Sequence, residues 1–173
     1  MTAKIFVYID HFDGQALSVS WEAVGAARAL AAQTGGSVTA LLLGDNVDSL
    51  AQEALHYGAD EVLLAKDPSL KDYRAEPFTD ILAAQAKAAA PEIFLFPTTT
   101  RGRELAATTA IDLNTGVLTD VTALELEGGQ ITAIKPVYAG KLLAKVVCHT
   151  RPQIATLRGR AFPKPAPDAS RAG

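Results

Sequence analysis

The sequence is poor in the features that mark specialised classes. A single cysteine, Cys148, among 173 residues excludes an internal disulfide and makes a cytoplasmic setting the simplest expectation. Positive charge is not in surplus: 16 Lys and Arg stand against 19 Asp and Glu, a formal net charge of −3. A dedicated nucleic-acid binder needs the opposite balance to neutralise phosphates, so no nucleic-acid partner is expected. No apolar run approaches the roughly 20 residues that span a bilayer, so no direct membrane insertion is expected either. The stretch Met1 to Ile9 leads straight into a strand-like segment without the h-region of a signal peptide. Phosphate-loop, dinucleotide-fingerprint and nucleophile-elbow spacings are all absent.

What remains is an ordinary globular composition, 49% hydrophobic and 20% charged, in a length that suits one domain. Lys4–Ile9 is a short run rich in Ile, Phe and Val and predicts a buried strand. Leu17, Trp21, Val24, Ala27 and Ala31 then recur at spacings of three and four, the apolar face of a helix that Gly35-Gly36 ends. Ser37–Leu43 predicts a second strand, Val47 to Leu55 a second helix, and Glu61–Ala65 a third strand. Phe78, Ile81, Leu82, Gln85 and Ala89 line a third helix that Pro91 stops. Ile93–Phe96 is a fourth strand and Gly102–Asp112 a fourth helix. Alternation of this kind predicts an α/β chain, a mostly parallel sheet between two helical layers.

From Asp120 the rhythm changes. Leu124, Leu126 and Ile131 alternate with polar residues around Gly128-Gly129, a hairpin pattern, and Leu142–His149 and Gln153–Arg158 extend a strand-rich C-terminal section. Pro163, Pro165 and Pro167 then remove three backbone donors within five residues. The expected organisation is one domain over 1–162, followed by a stiff, unanchored proline-rich linker over 163–173.

Few residues offer chemistry. Cys148 and His149 would point to opposite faces of a strand and form no pair; Cys148 reads as a core cysteine. Asp10, His11 and Asp13 close the first strand, where parallel sheets place ligands. They could ligate a metal, but a solvated turn is the expectation. Asp10-His11-Phe12-Asp13-Gly14 also lacks the Ser-Gly-Gly-x-Asp loop of ATP pyrophosphatases with a similar layout. A second cluster, Thr98, Thr99, Thr100, Arg101, Gly102 and Arg103, ends the fourth strand and opens the fourth helix. Helix N-termini and arginines suit an anion or a nucleotide phosphate; equally, the threonines could cap the helix while the arginines pair with nearby acids or a partner chain.

Four segments carry a family resemblance. Phe96-Pro97-Thr98-Thr99-Thr100-Arg101-Gly102-Arg103-Glu104-Leu105-Ala106 resembles the strand-to-helix segment of electron-transfer flavoprotein alpha subunits. Thr119-Asp120-Val121-Thr122 is similar to the entry into that family's strand-rich section. Lys135-Pro136-Val137-Tyr138-Ala139-Gly140-Lys141 resembles its R-P-x-Y-A-G-N/K segment, and Ile154 to Arg158 followed by Ala161-Phe162 resembles its V-x-T-x-R…A-F close. Lys135 replaces the usual arginine, and Ala107-Thr108 stands where a Pro-Arg pair is common.

The resemblance implies the N-terminal domain of an alpha subunit, with an adenine-nucleotide alpha-hydrolase-like fold. It implies a heterodimer with a beta subunit that carries electrons from acyl-CoA dehydrogenases, in fatty acid beta-oxidation, and from other dehydrogenases to a membrane quinone oxidoreductase. FAD would be bound by a C-terminal domain lying beyond Gly173, and AMP by the beta chain. This chain would then hold no cofactor, no metal and no catalytic residue, in a bacterial cytoplasm. Thr98 to Arg103 become candidates for interface contact and helix capping more than for a nucleotide. The rival reading is a free-standing adenine-nucleotide-binding domain with its site at the carboxyl ends of the first and fourth strands.

Overall fold

The computed structural model of the chain describes residues 2–172; Met1 and Gly173, the outer ends of the two expected segments, lie outside the described residues. The elements in order are β1 (Lys4–Tyr8), β2 (His11–Phe12), β3 (Gln15–Ala16), α1 (Ser18–Thr34), β4 (Ser37–Gly44), α2 (Asp48–His56) and β5 (Glu61–Lys66). After a 3₁₀ turn at Pro68–Leu70 come α3 (Ala75–Ala89), β6 (Ile93–Pro97), α4 (Thr100–Asp112) and β7 (Val117–Val121). The chain continues through β8 (Ala123–Glu127), β9 (Gln130–Val137), β10 (Leu142–Val147) and β11 (Gln153–Leu157).

Six strands form the central sheet in the order β5-β4-β1-β6-β11-β7, and every pairing in it is parallel. Its apolar strands are covered on both faces, as parallel strands must be. Along β1 the alternation sends Ile5, Val7 and Ile9 into one core with α1 and α2, and Phe6 and Tyr8 into the other with α3 and α4. Aromatic edges fill the second core: Phe6 meets Phe94 at 5.6 Å and Tyr8 meets Phe96 at 5.8 Å between ring centroids. The fold is the three-layer α/β arrangement that the alternating pattern predicts.

The strand-rich section divides differently from its sequence rhythm. β8, β9 and β10 form a separate antiparallel sheet in the order β10-β9-β8, with Gly128 and Gly129 at the β8–β9 turn. Ile131 and Ala133 of β9 pack into the α1/α2 core beside Leu118 and Val121. β11, by contrast, enters the central sheet between β6 and β7, so the last strand is not an extension of the hairpins. Strand β7 has no counterpart in the sequence pattern. Buried Gln153 joins the two sheets: its Oε1 accepts from the Ile131 N–H at 2.8 Å and its Nε2 donates to the Gly129 carbonyl at 3.0 Å.

The segment after Phe162 corrects an expectation. It is not unanchored over the described residues. The Asp168 N–H donates to the His56 carbonyl at 2.9 Å, and Arg171 reaches the Asp60 carboxylate at 3.1 Å. Proline cannot join a ladder, but it can pack, and here Pro163 and Pro165 lie against Gly25 of α1.

Candidate functional site

The chain runs outward from β1 to β4 and β5, then returns to β6 on the other side of β1. The carboxyl ends of β1 and β6 therefore diverge at a topological switch point, where open α/β sheets place ligands. Both sequence clusters meet there. An open cleft of about 790 Å³ is walled by the β1–α1 turn (His11, Phe12, Asp13, Gly14), the β4–α2 turn (Asp45, Asn46, Val47), residues 71–73 and Arg101.

Arg101 is the centre of this site. It leaves the first turn of α4 and its Nη1 donates to the His11 carbonyl at 3.0 Å. The same nitrogen lies 4.0 Å from Asp10 Oδ1, an ion pair at the outer limit of range rather than a hydrogen bond. Its guanidinium carbon sits 5.1 Å from the Tyr73 ring centroid and 5.8 Å from that of Phe12. Asp10 is buried and its Oδ1 has no hydrogen-bond partner among the described residues, so Arg101 is what offsets its charge. Ser20 holds the Asp10 backbone from below, exchanging two hydrogen bonds of 3.0 Å with it.

The helix start is largely self-satisfied. Thr99 is the N-cap of α4, its Oγ1 accepting from the Gly102 N–H at 2.8 Å. The N–H groups of Thr98, Thr99 and Arg103 donate to Leu157, Pro97 and Thr99 carbonyls. A Cβ on Gly102 would lie 2.1 Å from the Pro97 carbonyl oxygen, so only glycine permits this close return of α4 onto β6. Thr100 and Arg103 are exposed. The Tyr73 hydroxyl donates to Glu104 at 2.6 Å; burial first, and then that carboxylate, push its phenol well above the ordinary tyrosine range. The cleft also carries Asp13, Asp45 and Asp72 against Lys71 and Arg101.

Asp10, His11 and Asp13 do not converge. Asp10 points inward, His11 Nε2 meets the Leu43 carbonyl at 2.8 Å, and Asp13 sits exposed in the β2–β3 turn at φ 49°. Among the described residues no group of three or more His, Cys, Asp or Glu side chains could hold a metal ion. Cys148 is half-buried rather than a core residue. Burial works to raise its thiol, but hydrogen bonds from Thr150, Gly116 and Thr115 outweigh this and the net direction is down. No helix among the described residues is long and apolar enough to cross a membrane.

Two features lie outside the two candidate clusters. Asp120, at φ 58°, pairs with Arg158; their hydrogen bond first, together with the nearby charges of Lys135 and Arg103, lowers the Asp120 carboxyl. The β9–β10 hairpin projects Tyr138, Leu142, Leu143 and Val147 outward, at 77%, 57%, 70% and 43% exposure. Leu142 and Leu143 are sequence neighbours on opposite faces, so both are bare only because this end of the small sheet stands clear of the domain. Their signal was two adjacent leucines between lysines, which alternation alone does not flag.

Comparison with known proteins places these features. The family described as electron transfer flavoprotein domain matches residues 5–173. The chain is 35% identical to the electron transfer flavoprotein subunit alpha of Bacillus subtilis over 174 residues, covering 100% of this chain and 53% of that protein. It is 39% identical to the LctC subunit of a lactate dehydrogenase (NAD(+),ferredoxin) from Acetobacterium woodii, covering 93% of this chain and 39% of that protein. It is likewise 39% identical to Protein FixB of Azorhizobium caulinodans, covering 93% and 45%. The chain thus spans about half the length, or less, of these relatives.

Proposed function

The chain belongs to the electron transfer flavoprotein domain family, and from that membership we propose that it is the structural and docking domain of an alpha-type subunit, pairing with a beta subunit. The FAD of the complete protein is assigned to residues outside this chain, in keeping with the absence of a dinucleotide fingerprint from its sequence. AMP is assigned to the beta subunit. No residue here is given a catalytic role, and residues 163–173 connect to the flavin-binding portion. The complete protein would take electrons from acyl-CoA or other dehydrogenases and deliver them toward a quinone oxidoreductase, in a bacterial cytoplasm. The donor is not narrowed to fatty acid oxidation, because one relative is named as a lactate dehydrogenase subunit.

The observation that carries the docking role is the exposed apolar hairpin. Tyr138 in the hairpin turn and Leu142, Leu143 and Val147 on the edge strand β10 expose apolar side chains beside a free backbone edge, which can take up a partner, and tyrosine is among the residues enriched at interface hot spots. Mixing the chain with its electron transfer flavoprotein beta subunit should give a 1:1 complex on size-exclusion chromatography. Replacing Leu142 and Leu143 together by Lys should weaken it at least about tenfold, roughly 1.4 kcal/mol. Failure of the unaltered chain to form a complex would overturn the docking role, while unchanged affinity in the variant would move the interface elsewhere.

A second reading rests on the switch-point cleft, which stands where a free-standing adenine-nucleotide domain would bind its ligand. Calorimetric titration with AMP separates the two. Micromolar binding abolished by Arg101→Ala would favour the nucleotide reading; absence of heat favours the docking domain.

A further inference from the structure

The tail runs the full height of the domain. It leaves the carboxyl end of β11, passes the Arg160 N–H to the Glu22 carboxylate of α1 at 2.6 Å, crosses Gly25, and ends beside Asp60 at the amino end of β5. Its fit on α1 depends on a missing side chain. A Cβ on Gly25 would fall 2.6 Å from the Pro163 carbonyl oxygen and 2.9 Å from Pro165 Cδ. Lys164 lies over the Tyr57 ring at 5.0 Å, and that ring stacks on Trp21 of α1 at 4.6 Å.

The far end adds partners at the carboxyl end of α2, where the Leu55 carbonyl already accepts the Gly58 N–H at 3.0 Å. The last carbonyls of a helix have no partners inside it. In α2 the Leu55 carbonyl accepts from Arg171 Nε at 3.1 Å, and the His56 carbonyl accepts from the Asp168 N–H at 2.9 Å. Arg171 also shares the Asp60 carboxylate with Arg28, at 3.1 and 2.9 Å, and Asp60 accepts the Val38 N–H at 2.9 Å. One carboxylate thereby ties α1, β4 and the tail together.

We propose that residues 163–171 are a strap with two states, clamped and released, in which the clamped strap caps the end of α2 and joins it to α1. Its contacts are peripheral and few beside those of the core, so release occurs as a local opening below the threshold of global unfolding. Release frees the Gly25 groove and leaves the His56 carbonyl to solvent, while the Leu55 carbonyl keeps the Gly58 N–H at 3.0 Å. This inference stands on the intramolecular contacts alone and is independent of the proposed function.

Amide hydrogen exchange resolved by NMR on the unaltered chain tests it. The Asp168 amide should exchange at least about tenfold more slowly than in an unstructured peptide, yet faster than the Val7 amide of β1. Gly25→Ala, which helix propensity favours, should bring Asp168 close to the unstructured rate and also speed exchange in the tail-facing end of α2. Arg171→Ala should act in the same direction with no change at Val7. An Asp168 amide that already exchanges freely in the unaltered chain would remove the clamped state. One that exchanges only in step with Val7 would remove the released state, and full protection in both variants would show that neither contact holds the strap.

Discussion

Arg101 Nη1 donates to the His11 carbonyl at 3.0 Å across 90 residues of sequence, tying the first turn of α4 to the end of β1. The same guanidinium is the cation nearest the buried Asp10 carboxylate, at 4.0 Å. Arg101→Ala should therefore destabilise the fold by about 1–3 kcal/mol, because the hydrogen bond to the His11 carbonyl and the nearby countercharge to Asp10 are lost together. Exposed Arg103→Ala should stay within about 0.5 kcal/mol. Chemical denaturation of both variants checks the contrast, and equal effects would mean that Arg101 is not a staple.

Gly102→Ala places a methyl 2.1 Å from the Pro97 carbonyl oxygen. Alanine would ordinarily strengthen a helix by up to about 1 kcal/mol, but here backbone must shift. A loss of about 1–3 kcal/mol is expected. A thermal midpoint equal to or above that of the unaltered chain would show that α4 can slide on β6.

The Asp120–Arg158 pair gives a pH dependence of known sign. The Asp120 carboxyl is lowered in the folded chain, so its stabilisation is present above the unfolded value near about 4 and is lost as pH falls through the lowered one. Both side chains are partly exposed, which limits the contribution to about 1 kcal/mol or less. Asp120→Asn keeps a residue that tolerates φ 58° while removing the charge. The variant should be less stable at pH 7 by that amount and indistinguishable near pH 2.

The Cys148 thiol is lowered from its ordinary value because hydrogen bonds from Thr150, Gly116 and Thr115 outweigh its burial. Alkylation by iodoacetamide should accelerate at a pH below that for an unperturbed thiol, about 8.5, since the thiolate is the nucleophile. Thr150→Val removes the 3.1 Å contact to the sulfur and should shift the profile upward. An unshifted profile would mean that the hydroxyl does not serve the thiolate.

The periodicities determined the layers. Apolar runs such as Lys4–Tyr8 and Ile93–Pro97 and the helical stripe from Trp21 to Ala31 are local patterns, and they named β1, β4, β5, β6 and the four helices of a parallel α/β sheet, though not β7. Which ends would hold candidate residues was legible too, because Asp10 and Thr98 to Arg103 follow strands directly. Pairing across long separations was not. The insertion of β11 between β6 and β7 depends on Gln153 pairing with Ile93 and on Ile154 pairing with both Phe94 and Val117. No window of sequence contains those partners. The roles of Arg101 and Asp60 are of the same kind, since each is defined by atoms dozens of residues away. The tail is the sharpest case. Its prolines forbid a helix or a central strand, which the sequence determined; that they would lie on Gly25, with Arg171 capping α2, was decided by the tertiary structure alone, because the groove exists only once α1 and α2 pack on the sheet.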